Sequence, residues 1–151
     1  MGTVMLDLQR YNRICLDAQT FIYFIEEHPL YLDKVEPIFE EISEGNIIAV
    51  SSYLSLLEVL VKPIREGETE IASQYRDLML GSVYLNLYPL DDEVAQIAAT
   101  LRAKYSGIRT PDAIQIATGI FAEADVFITN DKRLEQVKEI TVVILGDVIS
   151  N

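Results

Sequence analysis

The sequence predicts an α/β domain with a central, mostly parallel, twisted β-sheet of about five strands flanked by helices. Short apolar, β-branched runs alternate along the chain with longer stretches whose apolar residues recur at helical spacing. Gly, Pro and Asn residues separate many of these runs, as is typical of element boundaries. Repeated strand–helix units favour a parallel sheet, because each helix carries the chain back to the edge at which the strands start.

The predicted strands are short and apolar, and they cover residues 13–17, 47–50, 83–88, 126–129 and 141–145. The predicted helices cover residues 18–27, 31–44, 53 to about 61, 68–80, 91 or 92 to 105, and 110 to about 123, with a short helix at 132–137. Pro63 is expected to end the third helix. Thr110 is expected to be the N-cap of the sixth, with Pro111 at its first helical position.

Length and composition indicate one globular domain. We expect residues 13–151 to form it and residues 1–12 to be an N-terminal extension. Half of the chain is apolar, which excludes a disordered protein. The single cysteine, Cys15, permits no intrachain disulfide and fits a reducing cytoplasm. No signal peptide is evident, and the longest apolar region (47–61) is shorter than the ~20 residues that span a bilayer, so a cytoplasmic protein without membrane association is expected.

The charge balance argues against a simple nucleic-acid-binding surface. The formal net charge is −12, from 24 acidic and 12 basic residues. Nucleic-acid-binding proteins usually carry a basic face. A polyanionic substrate would therefore have to meet local basic patches and a bound cation rather than the field of the whole protein. A basic segment of a partner protein is the alternative ligand.

Four acidic residues lie where the chain changes element or within an apolar run. Asp17 ends the first predicted strand, and Asp131 follows the fourth. Asp112 lies in the first turn of a helix, and Glu58 lies within the apolar run at residues 56–60. Carboxylates near apolar surface are costly unless they are paired or metal-bound, so these residues predict a shared cation site. Oxygen-only ligands favour a hard ion such as Mg2+ or Mn2+.

The predicted fold brings at least two of these acids together. Ligands of open α/β sheets bind beyond the carboxyl ends of the strands, where Asp17 and Asp131 lie. Each acid also has a purely structural interpretation: Asp17 and Asp131 as caps, Asp112 as a first-turn helix acid, and Glu58 in an ion pair at the core edge. Glu58 fits that interpretation least well, because a solvated charge is unusual inside an apolar run.

Two other enzyme folds also place aspartates after parallel strands. A receiver domain would need paired acids around the end of the first strand and another aspartate ending a middle strand, but Ser51 and Pro89 follow the middle strands here. A dehalogenase-type fold would need a second aspartate two residues after the first, where Gln19 stands. Both folds are disfavoured.

Four segments together resemble the PIN domain family, especially the VapC-type toxin ribonucleases. They are residues 16–26, 51–63, 109–118 and 124–134, and their order and spacing cover nearly the whole chain from Arg13. The resemblance implies that Asp17, Glu58, Asp112 and Asp131 are an acidic quartet that binds Mg2+ or Mn2+ and hydrolyses RNA. Thr129 and Asn130 match the polar pair that borders this site. A homodimer and a cognate antitoxin protein are also implied.

The chain departs from the family pattern around the quartet. Ala18 and Gln19 stand where threonine and then asparagine or serine are common, and Gln115 stands where histidine is often found. These positions affect substrate choice and rate more than metal binding. Contacts to RNA would come from local basic side chains: Lys62, Arg65, Arg102, Lys104, Arg109, Lys132 and Arg133. The alternative function is a catalytically silent PIN-like scaffold that binds a protein partner.

Overall fold

A computed structural model describes residues 5–149. Within them, five strands form one sheet: β1 (Arg13–Leu16), β2 (Ile48–Ser52), β3 (Leu85–Tyr88), β4 (Val126–Thr129) and β5 (Thr141–Ile144). Six α-helices flank it: α1 (Ala18–Ile25), α2 (Leu32–Ser43), α3 (Tyr53–Arg65), α4 (Thr69–Gly81), α5 (Asp92–Lys104) and α6 (Thr110–Phe121). Short 3-10 helices lie at Leu8–Arg10, Lys132–Gln136 and Leu145–Asp147. The predicted α/β class and five-stranded parallel sheet are confirmed.

The strand order places a ligand site beside the central strand. The order is β3-β2-β1-β4-β5, and every neighbouring pair is parallel. Cys15 in β1 is in register with Val50 of β2 on one side and with Phe127 of β4 on the other. The chain runs outward from β1 through β2 to β3 and then returns to β4 on the opposite side of β1. The carboxyl ends of β1 and β4 therefore flank the topological switch point, where ligands bind in such sheets.

Helices cover both faces of the sheet, so its strands are buried on both sides. Ile14 and Leu16 of β1 pack into the core that α1–α4 cover, whereas Cys15 packs into the core beneath α5 and α6. Such two-sided burial explains why the strands are continuous apolar runs rather than alternating ones.

Helix α6 approaches β1 closely because it carries a glycine at the contact. A Cβ at Gly119 would lie 3.0 Å from the Cβ of Cys15. A larger side chain there would push the helix away from the sheet. Asp112 lies in the first turn of the same helix, so this packing helps to set its distance from Asp17 at the end of β1.

Several predicted boundaries were wrong, each for a local reason. Helix α3 continues through Pro63 to Arg65, because burial of the proline ring offsets the one helix bond that its missing N–H cannot make. Arg109, not Thr110, is the N-cap of α6: its carbonyl accepts from the Ala113 N–H at 3.0 Å. The Thr110 hydroxyl accepts from Arg102 instead, at 2.9 Å.

The chain ahead of β1 packs on the domain where it is described. Leu6, Leu8 and Tyr11 lie against the apolar core, and the Asn12 carbonyl accepts from the Ile48 N–H at 3.1 Å. The predicted extension also includes residues 1–4, which lie outside the described range, and the domain boundary stays a prediction. None of the helices described is long and apolar enough to cross a membrane.

Candidate metal-binding cleft

An open cleft of about 770 Å3 lies at the carboxyl ends of β1 and β4. All six residues predicted for the site line it: Asp17, Glu58, Asp112, Thr129, Asn130 and Asp131. Four different parts of the chain supply the acids, namely the β1–α1 junction, the middle of α3, the first turn of α6 and the segment after β4. The fold therefore brings together residues that are far apart in sequence.

Asp17 is held in place by three hydrogen bonds. It is the N-cap of α1, and its Oδ1 accepts from the Thr20 N–H at 3.2 Å and from the Thr20 hydroxyl at 3.1 Å. The Thr129 hydroxyl donates to Oδ2 at 2.6 Å. Burial raises the pKa of Asp17 to about 6, and these hydrogen bonds only partly offset the effect. Asp17 thus serves as a cap and as a costly charge facing the cleft.

Thr129 links two of the acids. It is the last residue of β4 and is fully buried. While its hydroxyl donates to Asp17, it accepts from the Asp131 N–H at 3.2 Å. Asn130 does not join this link: its amide donates to the Tyr23 hydroxyl at 3.2 Å, and its carbonyl accepts from the Gly146 N–H at 2.9 Å.

Asp112 has a buried oxygen without a hydrogen bond. This atom, Oδ2, lies 3.7 Å from Nη2 of Arg133 and 3.9 Å from Nε of Arg109, both beyond hydrogen-bonding distance. Desolvation and the charge of Asp131 raise the pKa of Asp112, and the two guanidinium groups partly counter the rise. A buried carboxylate oxygen in this state calls for a positive ligand.

Glu58 is exposed, which corrects the expectation that its apolar neighbours leave it unsolvated. The exposure arises because α3 carries apolar residues on both faces: Val59 is buried, whereas Leu57 is 60% exposed. The Gln115 amide donates to Oε1 of Glu58 at 3.0 Å. The pKa of Glu58 is raised overall, because desolvation and the charge of Asp112 outweigh the lowering effect of the bond from Gln115.

Asp131 is paired with Arg133, which follows it by two residues. It caps the 3-10 helix at Lys132–Gln136 by accepting from the Arg133 N–H at 3.0 Å. Nε of Arg133 donates to both carboxylate oxygens, at 3.0 and 3.2 Å, and Nη2 donates to Oδ2. These bonds lower the pKa of Asp131. It is the one acid of the quartet whose pKa is shifted downward.

A buried polar chain that the sequence did not reveal supports Glu58 from behind. The Ser51 hydroxyl donates to the Leu16 carbonyl at 2.6 Å and lies 2.8 Å from the Ser55 hydroxyl. Ser55 in turn contacts the side-chain oxygen of Gln115 at 2.7 Å. Gln115 therefore ties the backbone ahead of Asp17 to Glu58. It is 4% exposed and lies on α6 three residues after Asp112.

The four acids fit a hard divalent cation, although their carboxylates are spread along the cleft. Among residues 5–149, no three His, Cys, Asp or Glu side chains form a ready ligand cluster. The donor set is nonetheless oxygen-only, as Mg2+ and Mn2+ require. Oδ2 of Asp112 has no hydrogen-bond partner, and the pKa values of three carboxylates are raised. A bound cation would supply a partner for that oxygen and would stabilise the ionised form of the three carboxylates.

Fold and cleft together define a parallel α/β protein with an acidic site at the switch point of its sheet. Residues 14–140 match the family model described as the PIN domain. The chain belongs to the PIN domain family, which confirms the resemblance seen in the sequence. No curated protein matches the chain.

Solved structures with the same fold include a toxin–antitoxin complex. A chain of VapBC2 from Rickettsia felis, bound to a promoter DNA fragment, is 18% identical, with 87% of this chain and 98% of that chain covered and a TM-score of 0.70. A chain of a toxin–antitoxin complex from Klebsiella pneumoniae is 18% identical, with 89% of this chain and 98% of that chain covered and a TM-score of 0.64. A chain of FitAcB from Neisseria gonorrhoeae is 19% identical, with 88% of this chain and 98% of that chain covered and a TM-score of 0.63. At these identities the likeness shows a shared fold.

Proposed function

We propose that the protein is a metal-dependent endoribonuclease whose Asp17, Glu58, Asp112 and Asp131 hold Mg2+ or Mn2+. The observation that carries the proposal is the convergence of these acids, from four parts of the chain, on one cleft at the switch point. Membership of the PIN domain family supports the same reaction class. A cation bound there supplies Lewis-acid chemistry, because it lowers the pKa of a water molecule and offsets charge on a phosphodiester.

The residues of the chain would hold the site rather than attack the substrate. Asp17 is fixed by Thr20 and Thr129, so its carboxylate is already oriented. Gln115 fixes Glu58, which would otherwise sample many rotamers on an exposed helix face. No side chain among those described needs to form a covalent intermediate, because activated water can attack phosphorus directly.

RNA would be bound by the few basic side chains beside the cleft. Arg109 and Lys132 line it, and Arg133 lies among its acids. Two other candidates are engaged elsewhere: Lys104 pairs with Glu139 at 2.9 Å, and Arg102 donates to the Ile108 carbonyl at 3.1 Å. Because only three basic side chains are available to contact phosphates, we expect RNA binding to weaken only modestly with salt, with a slope of roughly −2 in log K against log salt concentration.

We propose further that this nuclease is the toxin of a cytoplasmic toxin–antitoxin pair. The likeness in fold to a chain from a toxin–antitoxin complex supports an antitoxin partner. The acidic cleft would accept a basic residue of such a partner, since opposite charges steer association.

We also propose that the protein is a homodimer that pairs through α3. Tyr53, Leu57, Val61 and Ile64 recur at helical spacing along this helix and are 47–64% exposed. Such a stripe on a folded protein marks an interaction surface. Light scattering should give twice the 17.0 kDa chain mass, and Leu57→Glu should return the protein to the monomer mass. A wild-type monomer would contradict this assembly.

Cleavage of total cellular RNA by the purified protein tests the proposed activity. With Mn2+ or Mg2+ we expect discrete cuts that leave a 5′-phosphate and a 3′-hydroxyl. EDTA should remove the cuts, and Asp112→Asn should reduce them at least about a hundredfold, because loss of a direct ligand costs more than loss of an outer-sphere partner. Cleavage that persists in Asp112→Asn would contradict the proposal. A folded protein that makes no cuts would favour the protein-binding scaffold.

A further inference from the structure

Arg133 occupies the part of the cleft where a cation would bind. Its guanidinium donates to both oxygens of Asp131 and lies 3.7 Å from Oδ2 of Asp112. It therefore already contacts one proposed ligand and faces the unsatisfied oxygen of a second. A divalent ion that bound Asp131 and Asp112 would need the same oxygen atoms, so the guanidinium and the ion exclude each other.

The arginine is held weakly enough to be displaced. Its side chain is 49% exposed, and that of Asp131 is 30% exposed. Ion pairs between partly exposed side chains contribute modestly to stability, and the bidentate geometry places this pair at the strong end of that range. Asp131 also accepts the Arg133 backbone N–H, so its carboxylate stays anchored when the guanidinium swings out.

The four acids of the cleft differ in the groups that surround them. Asp17 and Glu58 are each held by neutral donors, whereas Asp131 is turned towards Arg133 and Asp112 stands between Arg133 and Arg109. A guanidinium group thus holds Asp131 by hydrogen bonds, whereas Asp112 lies near two guanidinium groups without bonding to either.

We propose that Arg133 is a built-in counter-ion that occupies the cation position in the metal-free protein and must leave before Asp131 and Asp112 bind the metal. This inference rests on the proposed metal site. In the metal-free protein the guanidinium reduces repulsion between the two acids, and it competes with the metal for them. Metal affinity is therefore set partly by the cost of displacing one side chain.

Mn2+ affinity, measured by isothermal titration calorimetry on the full chain, tests the competition without any substrate. Arg133→Gln should lower the Mn2+ dissociation constant about three- to tenfold, because the competing charge is gone while a polar side chain of similar reach remains. Lys138→Gln is the matched control: it removes one positive charge from the same part of the chain, but the Lys138 ammonium donates to the Glu135 carbonyl at 3.0 Å and does not line the cleft. It should change the constant less than twofold.

The outcomes separate this inference from the proposed function. If the wild type binds Mn2+ and Arg133→Gln binds it no tighter than Lys138→Gln does, the counter-ion role is overturned while the metal site stands. If neither the wild type nor Arg133→Gln binds Mn2+, the metal site and the inference both fail. Binding that appears only in Arg133→Gln would establish the competition directly.

Discussion

Asp17→Asn is expected to abolish metal-dependent RNA cleavage while making the metal-free protein more stable. Asn keeps one oxygen that can accept both bonds from Thr20, and it caps helices as well as Asp does, but the NH2 group that replaces Oδ2 cannot accept from the Thr129 hydroxyl. Asn cannot offer a cation the same charge. Cleavage should fall at least about a hundredfold, whereas in EDTA at pH 7.5 the free energy of unfolding should rise by about 1–3 kcal/mol.

The sign of the stability change follows from the raised pKa of Asp17. The folded protein holds a proton on this carboxyl up to about pH 6, whereas the unfolded chain releases it near the ordinary aspartate pKa of 3.8. Stability is therefore lost as the pH rises between these values, and Asp17→Asn removes the loss. The gain of the variant should grow from about pH 4 to pH 6 and then stay level. Urea denaturation at several pH values measures it.

Asp91→Asn is the matched control for that variant. Asp91 is also a helix N-cap, accepting from the Val94 N–H at 3.0 Å, but it caps α5 outside the cleft. The Asp91→Asn substitution should leave cleavage unchanged and alter the free energy of unfolding by no more than about 0.5 kcal/mol. An Asp17→Asn protein that cleaves RNA normally, or that is less stable than the wild type at pH 7.5 in EDTA, would contradict the assigned role of Asp17.

Gln115→Leu is expected to reduce cleavage about 10- to 100-fold, although Gln115 is not proposed to touch the metal. Leu fills the same volume but removes the donor that fixes Glu58 and the acceptor that Ser55 uses. Loss of an outer-sphere partner typically costs this much in metal affinity or activity. Mn2+ affinity should fall with cleavage. Gln115→His should restore part of both, since an imidazole N–H can donate to Glu58.

Thr118→Val separates this effect from general damage to α6. Thr118 is fully buried on the same helix, but its hydroxyl donates to the Ile114 carbonyl at 2.8 Å and not towards the cleft. It should reduce stability without changing Mn2+ affinity. If Gln115→Leu binds Mn2+ as tightly as the wild type, Gln115 has only a packing role.

Much of the fold follows from short-range patterns in the sequence. Apolar runs such as the one ending at Leu16 mark buried strands, and the Asp17 N-cap marks the start of a helix, because both depend on neighbouring residues. The alternation of strands and helices predicts a parallel sheet. It does not give the order β3-β2-β1-β4-β5, which depends on how the helices pack.

The site was less accessible to sequence reasoning wherever long-range contacts decide its geometry. The four acids stand out individually, but the exposure of Glu58 depends on which face of α3 packs inward. Gln115 reaches Ser55 and Glu58 across 60 and 57 positions, so no local pattern indicates the link. Arg133 was predicted as an RNA contact, and only the structure shows its guanidinium on Asp131.

Anomalous diffraction from crystals of the protein soaked in Mn2+ tests the central claim most directly, because it locates the ion without relying on a substrate. We predict a peak in the cleft with oxygens of Asp17 and Asp112 about 2.0–2.3 Å away, and with the Arg133 guanidinium swung away from Asp131. Asp17→Asn crystals soaked in parallel should lose or weaken the peak. A cleft without a peak at saturating Mn2+, or a peak that persists unchanged in Asp17→Asn, would contradict the proposed metal site.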